Sequence, residues 1–150
     1  SMSEPQANAE TRTPVHLWIV GILTLLWNAM GAFDYLMTQT ENEAYMSRFT
    51  PEQLEFFYGF PAWVTAFWAL AVWGGVLGSL FLLMRKSWAY PVFLVSFVSM
   101  CVTTFHNYVL ADGLQMAGGA GPVIFSAVIF LVALGLVFYA RAMKKKGVLR

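Results

Sequence analysis

Asp34 and His106 stand out in this sequence because each is an ionisable side chain set inside a long apolar run. A carboxylate there can accept hydrogen bonds or exchange a proton, and an imidazole can do both near neutral pH. Such groups are costly within a membrane, so they normally face a bundle interior and find a partner or a polar cavity. Angular positions support that reading. At helical spacing Thr24, Trp27, Asn28, Gly31, Asp34, Tyr35 and Thr38 fall within an arc of about 120°. Ile19, Ile22, Leu26, Ala29, Phe33, Leu36 and Met37 fill the other side. Around His106, the residues Ser96, Ser99, Thr103 and Asn107 share an arc of about 100°, with Leu94, Val98, Cys101, Phe105 and Val109 opposite. Both ionisable residues lie roughly 10–12 Å from the midpoint of their runs, toward the same side.

The expected site is therefore a ligand or proton pocket between the first and third runs. Trp27, Asn28, Asp34, Tyr35, Thr103, His106 and Asn107 would line it, with Trp27 and Asn28 as its floor. The plainer alternative is that Asp34 and His106 satisfy one another and hold two helices in register. Interhelical polar contacts contribute only about 0.6–2 kcal/mol each, so glue alone hardly calls for such a cluster.

Other chemistries find little support. A Ser/His/Asp order, a Gly-rich phosphate loop and paired core carboxylates do not occur, so no catalytic residue is assigned. His16 lies at the opposite end of its run from Asp34, and one His beside one Asp is a poor ligand set; no metal or haem is expected. The single cysteine, Cys101, excludes an internal disulfide and a cysteine zinc site. The methionines read as packing.

The elements that must position these residues are membrane helices. With 59% hydrophobic and 11% charged residues, the chain belongs to the membrane class. Its formal charge of +1 gives no reason to expect nucleic acid. Four runs, about 15–37, 61–84, 88–110 and 122–143, are each long enough to span the hydrocarbon layer, which takes about 20 helical residues. The expected fold is an all-α bundle of four transmembrane helices (residues 15–143) between a disordered tail (1–14) and a basic tail (144–150). The first run exceeds a signal-peptide core of about 7–15 residues, so it is expected to remain as a helix. In the first loop, Thr40 with Glu43 and Thr50 with Gln53 match capping-box spacing, Pro51 suits a first helical turn and Gly59 a stop. Two short helices are expected there, lying along the membrane surface or over the bundle mouth. Gly74, Gly75, Gly78 and Ser79 give the second span a small-residue face for close helix packing, within the chain or in a homo-oligomer. The fourth run is the blandest, with Ser126 its one polar core residue, and is expected to close the bundle facing lipid.

Arg12, Arg85, Lys86, Arg141, Lys144, Lys145, Lys146 and Arg150 mark one side of the membrane, whereas the first loop is acidic apart from Arg48. By the positive-inside rule both termini are expected to be cytoplasmic. Trp27 to Tyr35 (WNAMGAFDY), with Gly59-Phe60-Pro61-Ala62-Trp63 and Trp73-Gly74-Gly75, resembles a family of small bacterial four-helix inner-membrane proteins, sometimes labelled sugar transporters. The resemblance spans about Pro14 to Arg150 and implies a multi-pass protein of the bacterial inner membrane; it brings no site residues with it. The chain is also similar in size to small multidrug exporters, but lacks their glutamate in the middle of the first helix.

Two functions from different classes are expected. The first is binding and transport of a small solute or lipophile through an outward-facing pocket, aided by a homo-oligomer. The second is an accessory or assembly subunit of a larger membrane complex. A membrane enzyme using Asp34 and His106 as acid and base on a lipid or quinone is a third reading, and it would need a pocket reachable sideways from the bilayer.

Overall fold

A computed structural model describes residues 13–116 and 118–150; most of the expected N-terminal tail, residues 1–12, lies outside them. In chain order the helices are α1 (Val15–Gln39), α2 (Glu43–Met46), α3 (Pro51–Tyr58), α4 (Ala62–Leu83), α5 (Ala89–Phe105), α6 (Gly113–Met116) and α7 (Ala120–Lys145). A π-helical turn, His106–Leu110, continues α5 to the end of the third span. No strand occurs among the described residues. Four helices, Val15–Gln39, Ala62–Leu83, Ala89–Leu110 and Ala120–Lys145, are long and apolar enough to cross a membrane, as in a multi-pass membrane protein.

The ends of these helices follow local chemistry. The first span runs two residues beyond the expected Met37. Thr38 donates its hydroxyl to Asp34 O and Thr40 donates to Leu36 O, which satisfies carbonyls of the last turn. That use of Thr40 corrects the expected pairing with Glu43: the cap of α2 is Asn42, whose Oδ1 accepts from Tyr45 N at 3.0 Å. The Thr50–Gln53 pair does form a reciprocal capping box, at 3.1 and 3.0 Å, with Pro51 in the first turn of α3. The fourth span starts at Ala120, before Pro122, because a proline in the first turn gives up only an N–H that has no helical partner.

Packing runs through the second span, which lies between the first and third; the third in turn carries the fourth. Small residues permit this. A Cβ on Gly75 would sit 2.7 Å from Asn28 Oδ1, and one on Gly78 would sit 2.5 Å from the Phe93 ring. A Cβ on Gly74 would meet that of Ser96 at 3.0 Å. The small-residue face is thus filled inside the chain, by the first span on one side and the third on the other. The expected close packing of this face is met by contacts within the chain.

The densest core lies at the end of the bundle that carries the chain termini. Leu17, Leu82, Ala89, Phe93, Leu136, Val137, Ala140 and Met143 are buried there together with Val148 and Leu149. The last residues therefore fold back under the bundle. Val148 N donates to Met143 O, Gly147 takes φ +76°, and Arg150 N donates to Arg85 O at 2.9 Å. Ring contact and a 2.6 Å hydrogen bond between His16 and Tyr139 close the same end. The loop end is looser, and the cavity lies there.

Candidate functional site

All four spans and the first loop meet around a cavity of about 270 Å³ at the loop end. Asp34 and Thr38 come from the first span, Val64 and Trp68 from the second, Met100, Thr103, Thr104, Asn107 and Tyr108 from the third, and Ser126 and Ile129 from the fourth. Phe49, Phe56, Phe57 and Phe60 close it from the loop. Met100 lies ten residues before the end of its span, which puts the floor about 15 Å deep, near mid-membrane.

The roof and upper wall are aromatic. Phe49 and Phe57 meet edge-to-face at 5.1 Å, Phe56 and Phe60 at 5.3 Å, and Phe60 and Trp68 at 6.0 Å. Each such pair adds about 0.5–1.5 kcal/mol to the apolar area it buries. A capped two-turn helix, α3, thus holds Phe56 and Phe57 over the cavity, with Phe49 before it and Phe60 after it packed against them.

The polar groups of the lining come from the first, third and fourth spans. Thr38 and Thr103 spend their hydroxyl protons on carbonyls of their own helices, Asp34 O and Met100 O, so each oxygen is left as an acceptor. Asp34 accepts a short hydrogen bond from the Tyr45 hydroxyl, and its Oδ1 lies 4.0 Å from Arg48 Nη2. The Arg48 guanidinium stacks over the Tyr45 ring at 4.2 Å and the Phe49 ring at 4.9 Å. Burial, then the hydrogen bond to Asp34 and its negative charge, push the Tyr45 hydroxyl above its ordinary pKa; the Arg48 charge opposes them. The Asp34 side chain is 45% exposed and that of Arg48 58%, so their ion pair adds at most about 1 kcal/mol. Asp34 is consequently accessible at the mouth, held by a clasp that water or a ligand can exchange. Asp34 is the one carboxylate of the cavity lining, and no group of three or more His, Cys, Asp or Glu side chains occurs among the described residues.

The residues expected to form the site part company. Asp34, Thr103 and Asn107 do line one cavity. Asn28 is drawn into helix packing instead: Nδ2 donates to Gly75 O and Ser79 Oγ, both at 3.1 Å, and Ser79 also shares a bond with Thr24. Trp27 packs on Phe125, and Tyr35 stacks behind the wall on Trp68 at 4.9 Å. His106 is 9% exposed and lies between the edges of Phe60 and Trp63, its Nδ1 3.0 Å from Asn107 Oδ1. An Asp34–His106 pair does not form, since each has another partner. With Oδ1 as acceptor, His106 donates from Nδ1, and Asn107 keeps its amide N–H groups for the cavity.

Most of the lining lies outside the expected site, including Thr38, Trp68, the loop phenylalanines, Tyr108 and Ser126, as do Tyr45 and Arg48, which hold Asp34 at the mouth. The signal for Arg48 was its isolation, as the lone cation in an acidic loop. For Ser126 it was a solitary hydroxyl in an otherwise apolar span, which now bonds to the Tyr108 hydroxyl at 2.8 Å and so looks inward, not only to lipid. No family model matches the chain, and no curated protein or solved structure is significantly similar to it.

Proposed function

We propose that this protein is a membrane-embedded carrier that binds a small amphipathic molecule in the loop-end cavity and transports it. The observation that carries this reading is the make-up of the cavity lining, aromatic residues from the first loop and second span with hydrogen-bonding side chains from the first and third spans. Small-molecule sites have this make-up, mostly apolar with a few convergent polar groups, and usually span about 300–1,000 Å³. At about 270 Å³ the cavity suits a molecule at the lower end of that range. Asp34, Thr38 and Thr103 would accept from its polar group while the phenylalanines and Trp68 enclose the remainder.

Arg85, Lys86, Arg141 and Lys144 to Lys146 lie at the terminal end, so the positive-inside rule puts that end in the cytoplasm and opens the cavity outward. A bacterial inner membrane is the setting implied by the family resemblance. Four spans leave little room for a complete path across the bilayer, so transport would proceed in an assembly that uses faces other than the filled small-residue seam.

Native mass spectrometry of the protein released from lipid, with a panel of small alcohols, amines, sugars and acids, tests the reading. A retained adduct in the wild type, lost in Met100→Trp, whose indole fills the floor, is the expected result. Absence of any adduct, or an adduct that survives Met100→Trp, would overturn it.

A further inference from the structure

Beside the cavity, on the outer face of the bundle, a groove of about 410 Å³ runs between the third and fourth spans. Its own walls are Val123, Ala127, Phe130 and Leu131; its remaining walls, Thr104, Tyr108 and Ser126, also line the cavity. Of the three shared residues, Tyr108 and Ser126 stand on facing helices and are joined hydroxyl to hydroxyl at 2.8 Å. Near this contact the fourth span is held by ring contacts, Phe125 with Trp27 at 5.7 Å and Phe130 with Phe97 at 5.2 Å. Tyr108 rides on the π turn His106–Leu110, closed by Ala111 N to His106 O at 2.8 Å, and such turns within α-helices recur at functional sites. The fourth span has its buried packing at Leu136 and beyond, toward the other end, while Ile124, Phe125, Val128 and Leu131 are exposed.

Building on the proposed function, we infer that Tyr108 and Ser126 form a lateral gate, through which a single-chain amphiphile with a hydroxyl head passes from the hydrocarbon layer into the cavity. The groove lies on membrane-spanning stretches, is apolar, and is continuous with the cavity through three shared residues. An acyl or prenyl chain fits it, and water-soluble solutes do not. The head group follows from what it must cross and where it must stop. A charged head would pay heavily for leaving water at this depth. A carboxylate would in addition meet Asp34. A hydroxyl instead replaces the Tyr108–Ser126 bond with equivalent bonds to each partner in turn, so opening exchanges neutral hydrogen bonds of about 1 kcal/mol rather than losing one. Beyond the gate its proton finds the acceptors Asp34 and Thr103, and its oxygen finds the amide of Asn107.

A dodecanol carrying a diazirine along its chain, supplied in the lipid of nanodiscs holding the full chain, tests this. The readout is the rate at which Met100 and Thr103 become photolabelled after mixing, mapped by mass spectrometry. Ala127→Trp and Leu131→Trp each plug the groove from the lipid side without touching the cavity. They are expected to slow labelling about tenfold (about 1.4 kcal/mol of barrier), whereas Tyr108→Phe, lacking the latch, speeds it. Labelling at the wild-type rate in both plugged variants would overturn the gate while leaving the carrier reading intact, with uptake then through the loop mouth. Equal labelling by the corresponding dodecanoate would overturn the head-group assignment, and no cavity labelling with any probe would overturn both gate and carrier.

Discussion

Tyr45 donates its hydroxyl to Asp34, and with the Arg48 guanidinium beside the same carboxylate and the Tyr45 ring against Phe33 it ties the first loop to the first span. Asp34 is therefore neither a lipid-facing anomaly nor half of a buried ion pair. It is one end of a clasp whose other end, Tyr45 of α2 with the following Arg48, lies outside the membrane-spanning helices.

Tyr45→Phe is expected to release this clasp without unfolding the bundle. The lost bond contributes about 1 kcal/mol at a partly exposed site. Amide hydrogen exchange should rise across residues 43–58 and stay unchanged in the four spans. Protection lost equally in α3 and in the second span would show that the loop and bundle form one cooperative unit.

Tyr45 also sets a pH response. Burial first, then the bond to Asp34 and its charge, raise the folded pKa of Tyr45 above the ordinary 10.0, so the folded state holds the proton more tightly than the unfolded chain does. The stabilisation is thus fully present below pH 10 and is lost as pH rises through the higher folded value. Phenolate absorbance, taken as wild type minus Tyr45→Phe, is expected to titrate above the midpoint of a free tyrosine. A midpoint at or below it would contradict the hydrogen bond to Asp34.

Two glycines should respond to alanine with opposite signs. Gly135 has open space around it, so Gly135→Ala is expected to gain about 0.5–1 kcal/mol from helix propensity. At Gly78 the added methyl would lie 2.5 Å from the Phe93 ring, and overpacking there should cost about 1–3 kcal/mol. Thermal unfolding in detergent measures both. A stabilised Gly78→Ala would mean that the second and third spans sit further apart than described.

Asn28 and Asp34 share a helix face but not a role. Asn28→Ala should lower stability by about 1–2 kcal/mol through loss of its bonds to Gly75 and Ser79, and leave ligand retention unchanged. Asp34→Asn keeps an acceptor for Tyr45 and should change stability little, yet weaken ligand binding by removing the charged acceptor from the wall. Unfolding curves and adduct yields from the same preparations separate the two.

The spans were legible in the sequence because a long apolar run in water has no better alternative, and the polar stripes of the first and third spans told which faces look inward. What failed was the step from face to partner. The angular reading of the third span assumed an α-helix through His106, but from that residue the backbone closes i to i+5. The wider turn begins only after His106, whose own N–H still bonds to Val102 O, so it leaves the direction of the imidazole unchanged. His106 meets Phe60 and Trp63 because the first loop and the start of the second span fold against it, while Asn107 and Tyr108 line the cavity. Asn28 was misjudged because its partner is the backbone of Gly75, exposed to it only by the missing side chain, a contact that residue types alone do not announce. Tyr45 and the loop rings depend on how a long connection folds back. Likewise, Val148 and Leu149 were read with their basic neighbours as tail although they are apolar enough to be buried.

Trp68, on the cavity wall, provides the most direct test of whether a molecule resides there. Quenching of fluorescence by a long-chain alcohol brominated near its tail, titrated into nanodiscs and taken as wild type minus Trp68→Phe, isolates this one indole. The account requires quenching that saturates at low probe-to-protein ratios and vanishes in Met100→Trp. Quenching that grows linearly with probe in the membrane, and is unchanged in Met100→Trp, would mean that Trp68 merely meets bulk lipid and that the cavity holds nothing.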